Sequence, residues 1–147
     1  MIDKKDEKIL DVLKKNARKT TKSIAMTVKI PRVTVHDRIQ KMVDNGIIKS
    51  FTTIPDYKKI GMSCLVFIFV SFQSIANVSQ RELAKRIALL PGVFEVHIIS
   101  GEYDLLLKVR GKSLEDIGKI VVDKLRQIKG VDKTLTCACF ETVKEEV

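Results

Sequence analysis

The sequence predicts an α+β chain of two parts: an N-terminal helix-turn-helix domain of the winged type (1–54) and a C-terminal ferredoxin-like βαββαβ domain (62–147), with a hinge at 55–61. Three observations predict this. Three short stretches of helical apolar periodicity follow one another before residue 45, with breaks of only a few residues. From residue 64 onward, strand-like and helix-like runs alternate in the order βαββαβ. Charge is also segregated: residues 1–60 carry 15 Lys and Arg against 7 Asp and Glu, a net of +8, whereas residues 61–147 carry 12 against 11, a net of +1.

The first helix starts after a capping residue, Asp3, and places Ile9, Leu10 and Leu13 on one face. The second opens at Thr20-Thr21, either of which can cap, and buries Ile24, Ala25 and Val28. The third runs from Arg32 to Asp44, with Val35, Ile39 and Met42 inward. Pro31 suits its start, where a missing N–H costs nothing, and Gly46 follows its end. Two short helices joined by so tight a turn match the helix-turn-helix unit. Ile47 to Ile54 is β-rich and ends at Pro55, so it is expected as a small wing or a connecting strand.

Opposite the buried stripe, the third helix presents Val33, Asp37, Gln40 and Lys41, flanked by Thr34 and Arg38 on one side and by Arg32 and His36 on the other. A recognition helix uses its N-terminal residues on base edges in the major groove. Arg32 suits a guanine, Val33 and Thr34 a thymine methyl, and Gln40 an adenine. Arg38, Lys41, Lys22 and Lys49 are placed for phosphates. The bland alternative is a three-helix bundle with a wet polar face. The concentration of charge and the exposed Val33-Thr34 pair favour double-stranded DNA as the partner.

In the second part, Cys64 to Phe72 reads as a central strand buried on both faces. Ser79 to Glu82 forms a capping box for a helix through Leu83, Ile87 and Leu90, ended by Pro91-Gly92. Val93–Ser100 and Tyr103–Arg110 read as strands separated by a hairpin turn at Gly101-Glu102. Ser113 opens a second helix through Ile117, Val121 and Leu125, and Val131 to Val143 is the last strand. Interleaved right-handed βαβ halves give an antiparallel four-stranded sheet with both helices on one face. The other face then needs a partner, and a dimer is expected.

Other classes are set aside on composition. The apolar run Cys64–Val70 is far short of the roughly 18–20 residues of a membrane span, and Met1–Lys8 has no apolar signal core. The expectation is a soluble cytoplasmic protein without a membrane partner. Three cysteines (Cys64, Cys137 and Cys139) with no secretion signal argue against a disulfide framework, and with only His36 and His97 in the chain no metal site is expected. Cys137 and Cys139 are read as small packing residues on one strand face. No phosphate-cradling glycine loop or nucleophile motif appears, so neither a cofactor nor an enzyme is expected. His97, between Val96 and Ile98 in a strand, reads as structural.

Together these residues resemble the Lrp/AsnC (leucine-responsive, feast/famine) regulators of bacteria and archaea. The head carries Asp6-x-x-Ile9-Leu10, Ile24-Ala25-x-x-Val28, Val35-x-x-Arg38-Ile39 and Asn45-Gly46-Ile47-Ile48. The second domain carries Pro91-Gly92-Val93 and Gly101-Glu102-Tyr103-Asp104. The resemblance spans essentially the whole chain. It implies DNA binding as dimers that often form tetramers or octamers, and a C-terminal module that binds amino acids and so alters assembly or DNA affinity. It also implies an effector site in which Gly101 offers its backbone, Asp104 pairs with an ammonium, and Tyr103, Thr134 and Thr136 line the pocket. Read without the family, Gly101 and Asp104 are simply good hairpin residues.

Two positions depart from the family pattern. Lys29 stands where Gly is usual at the helix-turn-helix turn, which costs on the order of 1 kcal/mol if that residue is left-handed. Pro31 stands where a capping Ser is common. Two alternatives share the frame: an architectural DNA-binding protein without an effector, and a haem-precursor decarboxylase, which would want a basic, His-bearing tetrapyrrole pocket.

Overall fold

The computed structural model describes residues 2–75 and 77–145, with Val122 described by its backbone alone. The described chain divides after Ile54 into two compact units.

In the first unit, α1 spans Lys4–Lys15, α2 Thr21–Val28 and α3 Arg32–Asp44. Asp3 caps α1 by accepting from the Lys5 and Asp6 N–H groups, and the Asp6 carboxylate accepts in return from the Asp3 N–H. Thr20 caps α2 by accepting from the Ser23 N–H. Lys29 ends α2 in the left-handed region (φ 57°, ψ 46°), where a glycine would have no Cβ to strain. The core is Ile9, Leu13, Ile24, Ile30, Val35 and Met42, with Ile39 half-buried at its edge. Each such side chain contributes roughly 1.5–3 kcal/mol by leaving water.

The expected strand over 47–54 is not formed. A strand exists only by pairing, and this segment has no ladder partner among the described residues, so Phe51 and Ile54 stay exposed.

The second unit holds β1 (Cys64–Phe72), α4 (Gln80–Ala88), β2 (Val93–Ile98), β3 (Leu105–Gly111), α5 (Leu114–Lys119) and β4 (Val131–Ala138). The sheet order is β2-β3-β1-β4, antiparallel throughout. Directly paired residues share a face. Val66, Ile68 and Val70 of β1 with Leu105, Leu107 and Val109 of β3 therefore form one layer, packed under Leu83, Ile87, Ile117, Val121 and Leu125 from the helical side.

Several boundaries differ from the expectation. Connection 99–104 has six residues rather than a two-residue turn. It is closed by Ile99 N–H donating to Asp104 O (2.9 Å) and by Asp104 N–H donating to Val70 O (3.0 Å). The second helix is regular only to Lys119; Ile120–Lys124 widens to a π-turn and Leu125–Gln127 tightens to a 3-10 turn. The last strand stops at Ala138 rather than Val143, because Ala138 already faces Val66 and little of β1 remains beyond it. Strand β1 is central but covered on one face only: Phe67 and Phe69 point to the open side and are half-exposed. The segment 55–61, read as a hinge, packs on this unit through Tyr57, whose ring meets Phe94 edge-on at 5.4 Å.

Candidate functional site

The outer face of α3 exposes most of the residues that periodicity places there. Arg32, Val33, His36, Asp37, Gln40 and Lys41 are exposed; Thr34 and Arg38 are half-buried on one flank, and Lys22 and Lys49 are exposed nearby in sequence. Val33 is 72% exposed at the second position of the helix.

Three of these side chains have partners that periodicity does not reveal. Arg32 Nε donates to Thr21 Oγ1 (3.3 Å), which links the start of α3 to the start of α2. Gln40 Nε2 donates to Asp44 Oδ1 one turn on (2.8 Å). Arg38 Nη1 donates to both Asp3 Oδ2 (2.8 Å) and Asp6 Oδ1 (2.9 Å). The Asp6 N–H, then the Arg38 guanidinium, hold the Asp3 carboxyl below the usual carboxylate range. Those hydrogen bonds to Asp6 and Asp3 raise Arg38 in turn. The reading of Arg38 as a free phosphate contact therefore meets a guanidinium already shared by two carboxylates.

In the second unit, the residues expected around an effector do not converge within one chain. Gly101 is exposed, in a backbone region closed to other residues (φ 136°). The Tyr103 ring lies 5.4 Å from Phe69, on the open face of the sheet. Thr134 and Thr136 pair with Val70 and Ile68, which puts them on the helical face, and Thr134 Oγ1 accepts from Arg126 Nε (3.1 Å). Asp104 is half-buried. Its Oδ2 accepts from the Phe72 N–H (2.7 Å) and its Oδ1 from Gln80 Nε2 (3.2 Å). It thus caps the end of β1 and holds the start of α4. The ammonium-pairing role would have to use its remaining lone pairs.

The open face also holds a charged cluster absent from the sequence reading. Lys108 contacts Glu95 (3.1 Å) and the Glu145 carboxylate, Arg110 reaches Glu145 (3.3 Å), and Arg110 stacks on Tyr57 with its guanidinium carbon 4.0 Å from the ring centroid. The Glu145 bond raises Lys108, and that to Lys108 lowers Glu145. His97 sits at the margin, exposed and 3.1 Å from Glu95, whose carboxyl it lowers. The available signal was Lys108-Val109-Arg110, two cations on one side of an otherwise apolar strand. Cys137 is exposed on the same face, opposite Phe67. Cys139 lies past the strand end, with its Sγ 3.4 Å from Glu141 O, so the two do not pack as a pair. Among the described residues no group of ligating side chains fits a metal ion, and no helix is long and apolar enough to cross a membrane.

Residues 65–147 match the Lrp/AsnC ligand binding domain, and residues 2–49 match a winged helix-turn-helix DNA-binding domain. The chain belongs to the Lrp/AsnC family. It is 48% identical to an uncharacterised HTH-type transcriptional regulator of Pyrococcus horikoshii, over 100% of this chain and 98% of the relative. It is 38% identical to the HTH-type transcriptional regulator LysM of Saccharolobus solfataricus, over 96% and 95%. Two solved structures share the fold. A Neisseria meningitidis transcriptional regulator in complex with L-Met superposes with a TM-score of 0.93 at 23% identity, covering 99% of this chain and 94% of that one. E. coli AsnC gives 0.88 at 24% identity, covering 100% and 98%. This Lrp/AsnC member is thus a DNA-binding transcriptional regulator with a ligand-binding module. Both of these relatives are named as HTH-type transcriptional regulators.

Proposed function

We propose that copies of this cytoplasmic regulator pair through the open sheet face, read DNA with α3, and change assembly or DNA affinity when a free amino acid binds at the 99–104 turn. The observation that carries the DNA half is Val33, held out beside Arg32 and Thr34 at the start of α3 on the basic unit. Arg32 is the guanine reader, its Nε steadied by Thr21 so that the terminal nitrogens stay free to fork. Val33 and Thr34 meet thymine methyls, and Gln40 reads adenine once it leaves Asp44. His36 and Asp37 border the base-reading strip, while Lys41, Lys22 and Lys49 contact phosphates.

The effector half is supported by the exposed Gly101 backbone, by the match to a ligand-binding domain, and by the L-Met held by the Neisseria neighbour. Tyr103 lines this site from the open face. Thr134 and Thr136 lie on the opposite face, so their share in it requires a second copy.

The test is retardation of the protein's own promoter DNA, with and without each of the twenty amino acids, alongside thermal melting. An effector at 100 times its Kd should stabilise by about 2.7 kcal/mol and change the retardation. Retardation that no amino acid alters, with no thermal shift, leaves an architectural DNA-binding protein. No retardation at all removes the DNA half.

A further inference from the structure

We propose that Arg38 is a positioning residue: it fixes the recognition helix against α1 through Asp3 and Asp6 and makes no phosphate contact. The proposal rests on the DNA-binding reading of α3 and reassigns one of its residues. Arg38 is the seventh residue of α3, on the flank between the buried stripe and the DNA-facing strip. Its Nη1 lies within 2.9 Å of two carboxylate oxygens from the first turn of α1 and its cap, 32 and 35 residues away. Those carboxylates are themselves held. Asp3 accepts from the Lys5 and Asp6 N–H groups, and Asp6 accepts from the Asp3 N–H. The guanidinium therefore enters a preformed acceptor pair rather than gripping one mobile side chain, which separates it from an ordinary surface ion pair.

The surroundings disfavour a phosphate. A groove of about 590 Å³ beside Arg38 is lined by Asp6 and Asp37 as well as by Arg38 and Lys41, so its formal charges cancel. A phosphate drawn to Arg38 would meet Asp6 and would strip both carboxylates of their cation. Lys41, one turn on, is exposed and has no ion-pair partner among the described residues. The buried Val35 and Met42 hold α3 by apolar contact, which is non-directional. The Arg38 hydrogen bonds to Asp3 and Asp6 add a directional restraint, and the base-reading residues are joined to it through the helix.

The experiment compares the full-length wild type, Asp6→Asn, and the double variant Asp6→Asn/Arg38→Met, which leaves net charge unchanged. Each is titrated over a range of salt against duplexes selected by the wild type from a random-sequence pool, and against the unselected pool. If Arg38 positions the helix, the double variant keeps the wild-type salt slope on both pools but loses about tenfold of its preference for selected DNA. Asp6→Asn alone, with Arg38 still present, loses preference in the same direction. A slope shallower by about 0.9 in the double variant marks a lost phosphate contact and overturns the proposal. Unchanged preference in both variants overturns it as well. Melting curves verify folding; should the double variant unfold, Asp6→Asn decides, because Asp3 still caps α1. Failure of the wild type to bind either pool would count against the DNA reading itself, not against the clamp.

Discussion

The head closes its apolar core under three helices and leaves an outer face of polar groups, several of them without internal partners. The module does the reverse. Its helices cover one side of the sheet, and the other side keeps Phe67, Phe69 and Leu135 partly in water beside a charge cluster that is already neutralised internally. Exposed lysines such as Lys22, Lys41 and Lys49 are suited to a polyanion, whose counterions leave on contact. A face of partly exposed rings and aliphatics is suited to a second apolar surface. The two units thus differ in what their outer surfaces offer: charge and polar groups on the head, partly exposed apolar side chains on the module.

The largest expected effect breaks this contrast at the module. Leu135 faces Phe69 on the open side and is 45% exposed, so Leu135→Glu puts a charge where the single chain tolerates it and a paired copy does not. The variant should elute as a folded monomer, with DNA affinity lower by about 10²–10⁴ through loss of bivalent binding. Light scattering on the eluted peak checks it. A variant that remains dimeric would move the pairing surface elsewhere.

A smaller effect tests the module's own packing. At Gly92 (φ 82°) a Cβ would lie 2.8 Å from the Arg110 carbonyl oxygen and 3.1 Å from Ile120 Cδ1. The carbonyl belongs to a sheet strand and cannot withdraw, so Gly92→Ala should cost about 2–4 kcal/mol. At roughly 4–8 °C per kcal/mol, the module's calorimetric transition should fall well below wild type while the head's transition holds. A shared drop would mean that the two units unfold as one.

Legibility in the sequence followed the range of the interactions involved. The bounds of α3 were readable because Pro31, Gly46 and the Val35–Ile39–Met42 spacing are all local signals. The sheet order was readable because alternating strand and helix runs admit few chain crossings. What escaped depends on distant partners. Arg38 looked like a phosphate contact because its carboxylates lie more than thirty residues away. The 99–104 connection looked like a two-residue hairpin because Gly101-Glu102 is good turn chemistry. Asp104, however, is bonded to Phe72 and Gln80, and the turn extends to include it. The run 47–54 has strand composition but no strand beside it among the described residues.

The smallest effect is the mirror of the Gly92 change and sharpens the comparison at the head. Lys29 sits at φ 57° and ψ 46° with its side chain exposed, while its N–H donates to Ala25 O. Lys29→Gly keeps that hydrogen bond and removes the Cβ strain. The added freedom of glycine in the unfolded chain offsets part of this gain. The net expectation is stabilisation of about 0.5–1 kcal/mol, read as a rise of a few degrees in the head's transition with the module's unchanged. At Gly92 the module needs glycine because a strand carbonyl stands where a Cβ would go, whereas at Lys29 a Cβ is already accommodated and the cost is that of the left-handed backbone itself. A fall in the head's transition would show that the lysine stem is itself part of the packing between α2 and α3.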